Sequence, residues 1–98
     1  MLKIKAQNYV NKFTHQHGIR AEVPIEEETY IVDLANVMTG FGIYHPEAAY
    51  WRKGAKECIV MEKTFKDVSP ECLKEAIKDL MKNYTEIEIE VDENWDIK

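Results

Sequence analysis

Ser69-Pro-Glu-Cys-Leu-Lys-Glu-Ala-Ile-Lys-Asp-Leu-Met-Lys-Asn-Tyr84 leads, after Thr85, straight into Glu86-Ile-Glu-Ile-Glu-Val-Asp92. The apolar period changes there from 3.6 residues to 2. In the first stretch Leu73, Ala76, Ile77, Leu80, Met81 and Tyr84 share one helical stripe. Ser69 suits the N-cap, Pro70 the first helical position and Glu71 the first turn. Glu71/Lys74, Glu75/Lys78 and Asp79/Lys82 are spaced to pair on the wet side, each contributing about 0.2–0.5 kcal/mol. In the second stretch Ile87, Ile89 and Val91 face one way, and Glu86, Glu88, Glu90 and Asp92 the other. The spacing predicts a helix followed by a half-wet strand.

Upstream of this pair the sequence reads mainly as strands. Ile19 to Val23 alternates and stops at Pro24, a short strand near an edge. Glu26-Glu27-Glu28 reads as a turn, and Thr29 to Ala35 as a central strand interrupted by Asp33. Asn36 to Glu47 reads as a loop, with Gly40 and Gly42 around Phe41 and a break at His45-Pro46. Ala48–Arg52 and Glu57–Phe65 read as two strands of a hairpin turning at Lys53-Gly54-Ala55-Lys56. The first segment reads as a helix on the spacing of Leu2, Ala6, Tyr9, Val10 and Phe13, ending at Gly18. Leu-Lys-Ile-Lys at its start also alternates like a strand. The expected architecture is α+β: one domain over residues 1–98, with an antiparallel or mixed sheet of four to five strands and two helices, in the order α-β-β-β-β-α-β.

Composition narrows the function classes. The 98 residues carry a formal charge of −5, are 45% hydrophobic, and hold no run long enough for a membrane span. Cys58 and Cys72 lack CxxC spacing, and no apolar h-region opens the chain, so the expected setting is the reducing cytoplasm. The acidic balance argues against nucleic acid as a direct partner. Gly40-x-Gly42 lacks the context of a phosphate-cradling loop, so no nucleotide cofactor is expected. His15-x-His17 is a weak metal signal, since two residues on a helix diverge by about 200°. Cys72 at the helix start has no positioned base, and no catalytic residue is assigned.

The acidic strand is the most informative feature. Glu86 to Asp96 holds six carboxylates and no base, whereas the first twenty residues hold four bases and no acid. Same-face positions lie about 6.5–7 Å apart, close to the spacing of phosphates along one nucleic-acid strand. The expected function is a non-catalytic acidic protein-binding module whose partner has a basic surface. Its binding residues are Glu86, Glu88, Glu90 and Asp92 with Phe41, Tyr44 and Trp51 of the aromatic segment. In size and charge the chain is like small phage and mobile-element proteins that block host enzymes. An inhibitor or modulator of a nucleic-acid-handling protein is therefore the specific form expected. The alternative is a small-ligand or metal-binding domain with a pocket of His45, Tyr44, Tyr50 and Trp51 near Gly40. A third possibility is a homo-oligomer, formed through the last strand or the aromatic loop; like charges, which repel across paired strands, disfavour edge pairing of the acidic strand.

Overall fold

The computed structural model describes residues 2–40, 42–82 and 86–97, with side chains for all of these except 39 and 93–97. The chain forms β1 (Leu2–Val10), β2 (His17–Ile25), β3 (Glu28–Thr39), β4 (Ile43–Arg52), β5 (Ile59–Val60), α1 (Pro70–Met81) and β6 (Ile87–Ile97). All six strands join one sheet in the order β5-β4-β3-β2-β1-β6. β1 to β5 make an antiparallel meander, and α1 then returns the chain so that β6 lies parallel to β1. The result is a small α+β domain with a mixed sheet and, among the described residues, one helix.

Period-2 alternation sorts the sheet into a dry and a wet face. Ile4, Ala6, Ile19, Ala21, Val23, Val32, Leu34, Ala48 and Ile87 point to one side, where Leu73, Ala76 and Ile77 of α1 meet them with Phe65. Each fully buried Leu or Ile there contributes about 1.5–3 kcal/mol. The helix starts where its sequence predicts. Ser69 Oγ accepts the Cys72 N–H at 3.2 Å, and the Cys72 thiol donates to Asp67 Oδ1 at 3.3 Å. Hydrogen bonds from Ser69 and Cys72 lower the pKa of the Asp67 carboxyl. On the outer side of the helix, Lys63 reaches Asp79 at 2.9 Å and Glu75 at 3.6 Å, tying the preceding segment down across α1. Tyr84, the last residue of the predicted stripe, lies outside the described residues.

Three expectations change. The predicted N-terminal helix is strand β1, because β6 offers that segment a matching ladder. Leu2, Ile4 and Ala6 stand beside Ile87, Ile89 and Val91, and Lys3 and Lys5 beside Glu88 and Glu90. The alternation of the first five residues is the operative period. Tyr9 belongs to the opposite face, and Phe13, in the turn after β1, is 82% exposed. The helical stripe was a coincidence of spacing.

The predicted loop from Asn36 to Glu47 is the far end of a long β3–β4 hairpin, with Gly42 (φ 72°) at the turn. Pro46 does not break it. The Met61 N–H donates to the Ala48 carbonyl at 2.8 Å, so Ala48, and Pro46 two residues before it, direct their backbone away from β3. The missing proline N–H then falls on an outer edge and removes no β3–β4 bond. The Ile19–Val23 strand, expected near an edge and ending at Pro24, is instead part of β2 in the interior of the sheet between β3 and β1, and Pro24 is tolerated inside it on similar grounds. Thr29, its β3 partner, gives its carbonyl to the Lys53 N–H on the other side, and the β1–β2 ladder has already ended at Ala6↔Ala21.

The third change concerns the predicted Glu57–Phe65 strand, which pairs only over Ile59–Val60. The chain then leaves the sheet to bury Phe65 under α1. Cys58, just before β5, is exposed, whereas Cys72 is buried. Among the described residues the sheet therefore has six strands rather than four or five, with one helix where two were expected.

Glu26 and Glu27 form the two-residue β2–β3 turn with φ of 48° and 69°. Both are left-handed, a conformation that costs a non-glycine residue about 1–2 kcal/mol, and such turns favour Asn-Gly. Glu26→Asn with Glu27→Gly is expected to raise the unfolding free energy by about 1–2 kcal/mol. Urea denaturation checks this, and an unchanged midpoint would mean that the two acids make contacts offsetting the strain.

Candidate functional site

The face opposite α1 has no second layer among the described residues. At its centre Tyr9 of β1 lies directly across from Gly18 of β2. The Tyr9 ring covers the Gly18 backbone so closely that a Cβ there would overlap the ring carbons. Only glycine fits beneath it. The phenol donates to Asp33 Oδ1 at 2.6 Å, and Arg20 bridges Asp33 Oδ2 at 3.1 Å. The Arg20 guanidinium stands 5.0 Å from the Tyr9 ring centre and 5.4 Å from that of Trp51, between two aromatic faces.

This arrangement explains the one polar interruption in the central strand. An ionised carboxylate there is tolerable because two strong donors satisfy it. Burial and the adjacent Asp33 carboxylate push the Tyr9 phenol well above the ordinary tyrosine range. Asp33, Arg20 and Tyr9 were not singled out from sequence as site residues. The signal that would have found them is a charged residue inside an otherwise apolar strand, which needs a partner.

Toward β6 the face becomes a strip of alternating charge. Glu88, Glu90 and Asp92 stand in a column on β6, beside Lys3 and Lys5 on β1. Lys3 Nζ lies 3.7 Å from Glu90 Oε1, with the two side chains 65% and 44% exposed. An ion pair so wet contributes at most about 1 kcal/mol. Between this strip and the central cluster runs an open groove of about 980 Å³, lined in part by Lys3, Lys5, Arg20, Trp51, Glu90 and Asp92.

Of the residues predicted to bind a partner, the structure brings Glu88, Glu90 and Asp92 together on this face with Trp51 across the groove. Glu86 precedes β6, is exposed, and accepts the Leu2 N–H on its carbonyl at 3.3 Å. Phe41 lies outside the described residues. Tyr44 is separated from the acids by β3, β2 and β1, about 19 Å at sheet spacing. The four residues of the ligand-pocket alternative are divided by the sheet itself. The β3–β4 register sends Tyr50 to the side of α1 and His45 and Trp51 to the open side, whereas Tyr44, near the hairpin turn, lines a separate hollow of about 360 Å³ with Tyr9, Arg20 and Asp33. Tyr50 accordingly meets Tyr30, ring centres 6.4 Å apart, while His45 bonds Glu47 at 3.0 Å.

His17 sits in β2 with Nε2 2.8 Å from Asn8 Oδ1, and burial lowers its pKa. His15 lies in the preceding turn, its backbone N–H donating to the Asn11 carbonyl. Among the described residues no three His, Cys, Asp or Glu side chains converge where a metal would sit. No helix among them is long and apolar enough to cross a membrane.

Comparison with protein-family models, with curated proteins and with solved structures gives no match. Nothing about function is inherited from a relative.

The central cluster makes two measurable statements. Tyr9→Phe removes the hydrogen bond to Asp33, a deficit of about 1–3 kcal/mol at pH 7. Because the folded pKa of Tyr9 is raised, its contribution is complete below the unfolded value of about 10 and is lost as pH climbs above it. The deficit of the Phe variant should therefore shrink in urea titrations run above pH 10; a constant deficit would contradict the assignment. Gly18→Ala is expected to lose about 1–3 kcal/mol by overpacking, and Tyr9→Leu in the same chain should recover part of it.

Proposed function

We propose that this chain is a non-catalytic protein-binding module that engages a basic surface through the open face of its sheet. The supporting observation is the exposed column of Glu88, Glu90 and Asp92, of which Glu90 and Asp92 line a groove whose other wall carries Trp51 and Arg20. Tryptophan, tyrosine and arginine dominate the energetics of interfaces, and a charged margin steers the encounter. Lys3 and Lys5 offset part of the column's charge. Both lysines are exposed, and the Lys3–Glu90 pair is wet, so a partner's arginine can displace Lys3 at little cost.

A nucleic-acid-handling protein is the partner class to test, because its phosphate-binding groove matches the carboxylate spacing and the chain's charge of −5. In that form the module acts as an inhibitor or modulator that occupies the groove in place of nucleic acid.

The test is capture of a partner from the native host at low and high salt, by the wild-type chain and by Glu88→Lys with Glu90→Lys. The variant, shown folded by an unchanged thermal melt, is expected to lose at least about tenfold in affinity, and wild-type binding should weaken steeply with salt. Equal capture by both chains would remove the acidic column from the interface.

A further inference from the structure

We infer that β6 receives a partner's β-strand along its outer edge, and that this strand alternates lysine or arginine with apolar residues. The inference rests on the protein-binding reading above and supplies its mode of contact.

The backbone defines the edge. The Leu2 N–H donates to the Glu86 carbonyl, so Glu86, Glu88 and Glu90 direct their backbone groups toward β1. Ile87, Ile89 and Val91 then direct their N–H and C=O groups the other way, where no strand pairs among the described residues. Such a row of donors and acceptors is a template for another strand, and proteins ordinarily guard it. The opposite edge of this sheet is guarded: β5 covers β4 at Ala49 and Tyr50, and Pro46 removes a donor from the stretch beyond. β6 has no proline, glycine or lysine between Ile87 and Ile97.

The chemistry of the incoming strand is already written on the inner side. β1 pairs with β6 as Leu-Lys-Ile-Lys-Ala, placing its apolar residues beside Ile87, Ile89 and Val91 and its lysines beside Glu88 and Glu90. Those β6 side chains present the same two faces to the outer edge. Ile89 and Val91 are only partly buried, so apolar residues of an added strand would complete their cover. Basic residues on the alternate positions would lie about 5 Å from the carboxylates. A second copy of β6 is the wrong occupant, because its acids would stand opposite these acids. Main-chain bonding gives such strand addition its affinity, and the side-chain alternation gives its selectivity.

The probe is the peptide acetyl-Thr-Lys-Ile-Lys-Val-Lys-Thr-amide, titrated into the isotope-labelled full chain. Saturable binding should slow amide hydrogen exchange at Ile87, Ile89 and Val91 by at least about tenfold while leaving Glu88 and Glu90, already bonded to β1, little changed. Glutamate in place of the three lysines should weaken binding at least about tenfold. An edge-paired strand uses only one alternate set of its N–H groups. N-methylation of the lysines and N-methylation of the apolar residues should therefore differ, one version binding and the other not.

Equal binding by both N-methylated peptides would overturn the edge mode and leave a face contact. Equal binding by the glutamate peptide would overturn the charge rule. No binding by any peptide, with partner capture still abolished by Glu88→Lys and Glu90→Lys, would overturn the inference and leave the protein-binding reading standing. Self-association of the peptide-free chain that protects the same three amides would assign the edge to a second copy and overturn it as well.

Discussion

The parallel pairing of β1 with β6 is the constraint on which the rest of this structure depends. It joins Leu2 to Ile87 and Ile4 to Ile89, residues at opposite ends of the chain. β5 and β6 lie at opposite edges of the sheet, so the chain has to cross it between them, and α1 lies in that crossing. That crossing puts Leu73, Ala76 and Ile77 over one face and leaves the other, among the described residues, without a second layer. The same register sets Lys3 and Lys5 beside Glu88 and Glu90, turning a basic N-terminal segment and an acidic C-terminal one into a single charged strip.

The two faces of the sheet solve different problems. The dry face is held by apolar contact against α1 and Phe65. The wet face is held at its centre by a polar unit in which Asp33 is satisfied twice and Arg20 is stacked between two rings. Such a unit contributes geometry more than net stability, because desolvating the charges offsets much of their attraction. Its value is rigidity: Tyr9, Arg20 and Trp51 are fixed in place beside the groove. Gly18 is the backbone condition for this, since any side chain there would lift the Tyr9 ring.

The edges of the sheet are unequal. β4 is covered by β5 at Ala49 and Tyr50 and blunted by Pro46, whereas β6 presents the backbone of Ile87, Ile89 and Val91 unpaired by any strand among the described residues. In the proposed strand addition, a surface that repels its own copy while matching a basic strand would discriminate by charge rather than by shape. The open face and the free edge meet at the same carboxylates, so contact on either one is steered by the same field.

The helix at Pro70–Met81, its Ser69 cap and the alternation of β6 were legible in the sequence, because local period and cap chemistry suffice to specify them. The β3–β4 hairpin was half legible: Gly40 and Gly42 announced a turn, but Pro46 masked the strand, since which side its missing N–H faces depends on the neighbouring strands. The first segment carries two local periods, a helical stripe through Leu2, Ala6, Tyr9, Val10 and Phe13 and a strand alternation through Leu2, Ile4 and Ala6, and only pairing with β6 decides between them. Local sequence thus determined the acid column and the element that precedes it. Tertiary structure decided that the first residues are extended, that Lys3 and Lys5 stand beside the acids, and that Tyr9, Arg20, Asp33 and Trp51 meet. Each of those contacts joins residues distant in the chain, and only the register of paired strands brings them within reach.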